Sequence, residues 1–116
     1  MTQRRPRIKD AAHLKFIRQL PCLVCGNDIQ TEAAHVSYAD PKYDKRSRGL
    51  GEKADDWAVV PLCGKCHRDQ HDCGNEQEWW WTHSFNAIDP LRCAAALYLK
   101  SGDHEAGTRI VEANRP

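Results

Sequence analysis

Behind Asp10, the apolar residues Leu14, Phe16 and Ile17 recur with helical spacing, and the Asp10 carboxylate suits an N-cap. Pro21 bounds this first helix, because the residue before a proline avoids the helical region. The run Cys22-Leu-Val-Cys25-Gly-Asn reads as a tight turn, with Gly26 and Asn27 able to take positive φ. Residues 29–36 predict a strand, weakened by two alanines, and residues 57–62 predict a second. Between them, residues 40–55 are rich in Pro, Gly, Ser, Lys and Arg and predict a long basic loop. Cys63-Gly-Lys-Cys66 predicts a second turn leading into a short helix over 67–72. Asn75 followed by Glu78 has the capping-box spacing, so a helix is expected from Glu76 to about His83. Within it, Trp79, Trp80 and Trp81 spread over some 200° at ~100° per residue, so at least one must pack inward. Asp89-Pro90 is a helix start, with Leu91, Ala94, Ala95 and Tyr98 on one face and a stop near Gly102. From Asp103 the chain is polar and reads as either a short helix or a disordered tail.

This order of elements predicts a small α+β fold: a basic arm and helix over 1–20, a central domain over 21–102 and a polar tail over 103–116. At 116 residues the chain has room for one domain with a small core. Its longest apolar run, Cys93–Leu99, is far short of the ~20 residues a membrane helix needs. The basic N-terminus has no apolar stretch behind it, so a cytoplasmic protein with no membrane partner is expected. The net charge of +1 hides a pattern. Residues 1–20 carry six Lys/Arg against one acid, residues 42–53 five against two, and residues 54–91 two against seven. Solvated surface would account for this; a polyanion approaching from one side would as well.

The cysteines and histidines carry the chemistry. Cys22-x-x-Cys25 and Cys63-x-x-Cys66 are two C-x-x-C turns of the kind that close a four-thiolate zinc site. In a chain read as cytoplasmic this is a better account of six cysteines than disulfides. Cys73 and Cys93 are left over: Cys93 is expected as a core thiol, and Cys73, close in sequence to the second turn, is a candidate spare ligand. His67 and His71 stand at i and i+4 on a predicted helix, where two imidazoles share one face and can hold one ion. The zinc turns bring His35, at the end of the first strand, towards that helix. A second, functional metal site at His35, His67 and His71 is expected; a surface pair or auxiliary zinc ligands is the plainer alternative. His13, His83 and His104 fit no partner pattern.

The pattern Glu32-Ala-Ala-His35, then Trp57-Ala-Val-Val-Pro-Leu-Cys63-Gly-Lys-Cys66-His67-x-x-x-His71, resembles HNH endonucleases of the ββα-metal superfamily. The continuation Gly74-Asn-Glu76, with Trp79 and Trp80, is similar to a zinc-knuckle phage- and prophage-associated group that includes Ref-type nucleases. The resemblance covers roughly residues 20–100. It implies a ββα-metal core and hydrolysis of DNA phosphodiester bonds. His35 would be the general base that activates water, and His67 and His71 would be ligands of a catalytic divalent ion (Mg, Mn, Ni or Zn) beside the structural zinc. Two positions depart from the family pattern. Ala34 stands where many members carry a ligand before the base, and Ala58 where many carry an asparagine. Asp56, with Asp55, is close enough to substitute, and Glu32 more weakly; the alternative role for His35 is ligation instead of base.

Lys42, Lys45, Arg46, Arg48 and Lys53, with the arm residues Arg4, Arg5, Arg7 and Lys9, are expected to contact DNA phosphates with little sequence reading. The resemblance leaves room for a recombination-protein partner, which no residue pattern identifies. The main rival is a non-catalytic zinc-ribbon DNA-binding module, or an inactive relative of the nucleases. Either would keep the four cysteines and the basic loop without needing three histidines.

Overall fold

The computed structural model describes residues 8–38, 55–84 and 88–115. Its elements are α1 (Ala11–Ile17), β1 (Thr31–His35), β2 (Val59–Cys63), α2 (Gly64–Cys73), α3 (Glu76–Ser84), α4 (Pro90–Leu99) and α5 (His104–Asn114). The helix starts follow local chemistry. Asp10, Asn75, Asp89 and Asp103 each accept the backbone N–H three residues on, at 3.0–3.2 Å. Gly74, at φ 78°, ends α2 in the left-handed conformation that costs glycine least.

β1 and β2 pair antiparallel, Thr31 opposite Cys63 and His35 opposite Val59. The flanking bonds Gly64 N–H to Gln30 O (3.2 Å) and Val36 N–H to Ala58 O (2.8 Å) fix the ladder's phase. Ala33 and Pro61 therefore form a non-hydrogen-bonded pair, so the proline removes no ladder donor. The Pro61 carbonyl faces outward and accepts Leu23 N–H at 2.9 Å, stitching the first cysteine turn to β2. All five residues of β2 are buried. The hairpin, α1, α4 and α5 share a core that includes Phe16, Ile17, Leu20, Val60, Leu97 and Val111.

Several boundaries differ from the sequence reading for identifiable reasons. β1 starts at Thr31 because Ile29 N–H turns back to Asn27 Oδ1 at 2.8 Å and Gln30 takes φ 57°; Ile29 is left 68% exposed. β2 starts at Val59 because Ala58 N–H bonds Asp55 O in a turn. Cys63-Gly-Lys-Cys66 is not a free turn: α2 begins at Gly64, and Cys63 is its N-cap. Of the two readings of the tail, the helical one holds. α5 packs Gly107 so closely on α1 that an added Cβ would lie 2.7 Å from Phe16 Cζ and 3.0 Å from Leu20 Cδ2. Trp79 and Trp80 are buried and Trp81 is exposed, as a helical spread of three requires. Among the described residues no helix is long and apolar enough to cross a membrane.

Candidate metal centre and histidine cleft

The two cysteine turns reach one point by different local routes. In the first, Gly26 N–H bonds Cys22 O and Cys22 N–H bonds Asn27 O, while Gly26 sits at φ 78°. This folds Cys22 and Cys25 onto one side. In the second, Cys63 ends β2 and Cys66 lies in the first turn of α2, where unpaired N–H groups favour negative charge. The four Sγ atoms all lie within 4.8 Å of one another, with Cys25 and Cys63 Sγ 3.6 Å apart. A tetrahedral zinc with Zn–S of ~2.3 Å needs S–S edges of about 3.8 Å, so the donor set fits such an ion. No cysteine is in a disulfide. Burial pushes the Cys25 and Cys66 thiols up, and their thiol neighbours add to it. Cys63 is buried too, which raises its pKa, but hydrogen bonds from the Cys66 backbone and the other three thiols outweigh this and lower it. A divalent ion must displace the thiol protons as it binds. Cys73 is exposed and lies outside the cluster, so it is no spare ligand. Cys93 is the expected core thiol, its pKa pushed up to about 12 by burial.

The histidines meet along β1 and α2, with His35 at the far end of the hairpin and His67 directly after Cys66. His35, His67 and His71 line one open cleft of about 400 Å³ with Ala33, Ser37, Gln70, Gly74 and Glu76. β1 supplies His35 at its last residue, and α2 supplies the other two one turn apart, their ring centroids 4.9 Å apart. Each of two rings is held by a carboxylate. His35 Nε2 lies 2.9 Å from Oδ1 of the buried Asp56. His67 Nδ1 lies 2.6 Å from Oε1 of Glu32. A carboxylate accepts, so each of these nitrogens donates. The proton on His35 Nε2 leaves Nδ1 with its lone pair, and the proton on His67 Nδ1 leaves Nε2 with its own.

Asp55 and Asp56 do not line the cleft themselves, though Asp56 holds His35 from behind. Asp56 Oδ2 accepts Asp10 N–H at 2.7 Å, Asp55 Oδ1 accepts Ile8 N–H at 2.8 Å, and Asp56 N–H donates to Ile8 O at 2.9 Å. The segment entering α1 is therefore a brace on the carboxylate that holds His35. Ala34 and Ala58, the two departures from the nuclease pattern, are core residues at 2% and 0% exposure. Glu32 partners His67 rather than replacing Ala34 as a ligand. Among the described residues the four cysteines alone form a group of three or more mutually close metal donors; His67 and His71 belong to no such group.

Lys42, Lys45, Arg46, Arg48 and Lys53, with Arg4, Arg5 and Arg7, lie outside the described residues. Sequence reading missed Glu76, whose carboxylate accepts Ser37 N–H at 3.1–3.2 Å and forms one wall of the cleft. Its signal was a glutamate at a helix start, ordinarily read as a favourable charge for the helix. The family profile described as "Protein of unknown function (DUF968)" matches residues 2–87, a span that takes in both cysteine turns and all three cleft histidines. No curated protein and no solved structure matches the chain.

Proposed function

The chain belongs to the DUF968 family, and we propose that it is a zinc-stabilised, metal-dependent endonuclease of the HNH type acting on DNA phosphodiester bonds. The observation that carries this reading is the paired setting of the cleft histidines: His35 on the buried Asp56, and His67 on Glu32, across one opening. In this reading zinc on Cys22, Cys25, Cys63 and Cys66 holds the fold. The ββα order of β1, β2 and α2 is the one the nuclease resemblance implies.

His35 Nδ1 takes a proton from water as the water oxygen attacks phosphorus. Asp56 stabilises the imidazolium that forms and keeps the ring aimed into the cleft. The P–O3′ bond breaks, and the leaving oxygen is protonated from solvent. A divalent ion on His67 Nε2 and His71 supplies charge relief for the phosphate and the leaving oxygen when bound. Glu32 fixes the His67 ring for that role, as outer carboxylates do for metal-bound histidines. Support for a polyanion substrate comes from the two basic stretches, which lead into Ile8 and Asp55, residues hydrogen-bonded to each other beside His35's carboxylate.

The test is cleavage of supercoiled plasmid with Mg, Mn, Ni or Zn added to zinc-loaded protein, with DNA binding measured separately. Nicked or linear product that needs an added ion, and that His35→Ala abolishes without loss of binding, is the expected result. Binding with no cutting under any ion would sink the nuclease reading. The non-catalytic zinc-ribbon module would then replace it, a reading favoured by His67 and His71 belonging to no group of three close metal donors among the described residues.

A further inference from the structure

Arg115, directly after α5, lies against the first cysteine turn. A Cβ added at Gly26 would collide with its Nη1 and sit 3.0 Å from its Cζ, so the guanidinium rests on the Gly26 backbone, one residue from Cys25. Gly26 is thus constrained twice, by its φ of 78° and by the side chain lying over it. Arg115 Nε is buried, and no described residue accepts its proton. Burying part of a guanidinium is unfavourable unless something negative is near. The turn it lies on carries Cys22 and Cys25, two of the four clustered thiols, which are electrically neutral while protonated. A divalent ion on four thiolates carries two net negative charges.

We infer that Arg115 is the counter-cation of the metal-loaded thiol centre. Its charge offsets part of that excess and favours the thiolate form of the ligands, and it makes α5 report on the state of the metal site. The inference rests on the zinc part of the proposed function and is independent of the nuclease part. It also gives the C-terminal helix a role beyond covering α1 and α4.

The experiment is zinc competition between full-length protein and a chromogenic chelator, at low and high salt. It uses wild type, Arg115→Ala, Arg115→Lys and Arg115→Glu, with the cobalt-substituted thiolate absorption as a check that four sulfurs still bind. Arg115→Ala should weaken zinc binding about ten-fold, the low end of the effect of residues that support metal ligands. Arg115→Glu should weaken it more, and Arg115→Lys should stay near wild type. Part of the loss should disappear at high salt, where exposed charge is screened. Equal affinity in wild type, Ala and Glu variants would overturn the inference. Equal losses in the Ala and Lys variants would also overturn it, since packing and not charge would then be responsible. A wild type that holds no zinc would remove the zinc reading itself, and this is seen before any variant is compared.

Discussion

At one end of the hairpin the Thr31–Cys63 pair leads into four thiols that lie within 4.8 Å of one another. At the other end, about 14 Å along the strands, His35 faces Val59 and borders a cleft that runs along α2, where His35 and His67 are tied to separate carboxylates. Both sites draw on β1 or its approach and on α2. The thiols converge until they leave no open position, which is the geometry of an ion that holds a fold. The histidines instead line an open cleft, two of them tied to separate carboxylates. In the proposed function, one small ββα unit keeps holding and acting apart by closing four thiols on one ion while the histidine cleft stays open.

The comparison breaks most visibly at the thiol end. Cys63→Ser should lose zinc and melt far below wild type, because metal binding and folding are one equilibrium when the core is small. The loss should amount to several kcal/mol out of a net stability of ~5–15 kcal/mol. Zinc content by mass spectrometry and a thermal melt measure both, and full zinc with an unchanged melt would refute the closed site. At the other end, His35→Ala should lower plasmid cleavage by roughly 10²–10⁴-fold with zinc content and melting temperature kept. A variant that loses zinc as well would show that the two ends are not separate. Glu32→Gln sharpens the contrast within the cleft. It should weaken activation by the added ion about ten-fold and leave DNA binding unchanged, which a metal titration of the cleavage rate would read.

Two smaller effects test the scaffold between the ends. Gly107→Ala gains up to ~1 kcal/mol of helix propensity. The new Cβ meets Phe16 Cζ at 2.7 Å and Leu20 Cδ2 at 3.0 Å, however, an overpacking that costs ~1–3 kcal/mol. A melting temperature a few degrees lower with zinc unchanged is expected; a higher one would mean that Phe16 yields freely. The smallest effect concerns His13, fully buried behind the Asp10–Asp56 brace with Nδ1 2.8 Å from Ser101 Oγ. Burial lowers its pKa below the ordinary 6.5, against the opposing pull of Asp10 and Asp56. The unfolded chain therefore takes up this proton first. The stability it contributes is complete above pH ~6.5 and is lost as pH falls through the lower folded value. Between pH 7 and 5, wild type should lose slightly more stability than His13→Leu in parallel denaturant melts; parallel losses would show that His13 titrates normally.

Much of this was legible locally. The two C-x-x-C spacings, the i, i+4 histidines, and the caps at Asp10, Asn75 and Asp89 can be read because each depends on backbone geometry within a few residues. The α5 start was equally local, an Asp103 side chain accepting Ala106 N–H, but a polar composition obscured it. The α2 start was hidden because a cysteine at an N-cap looks like part of a turn.

The sequence by itself determined which residues can bind metal and where most helices begin, since spacing and capping are properties of a short stretch of chain. The tertiary structure alone decided what each histidine touches. Asp56 is 21 residues from His35 and Glu32 is 35 from His67, so their meeting depends on the pairing of β1 with β2 and the docking of α2. A one-residue slip in that register would turn His35 to the core face and bring Ala34 to the cleft. The same holds for Arg115, which reaches Gly26 across 89 positions of sequence because α5 packs on α1 and α4. Spacing along the chain carries no information about such contacts; they follow from which apolar faces are buried together.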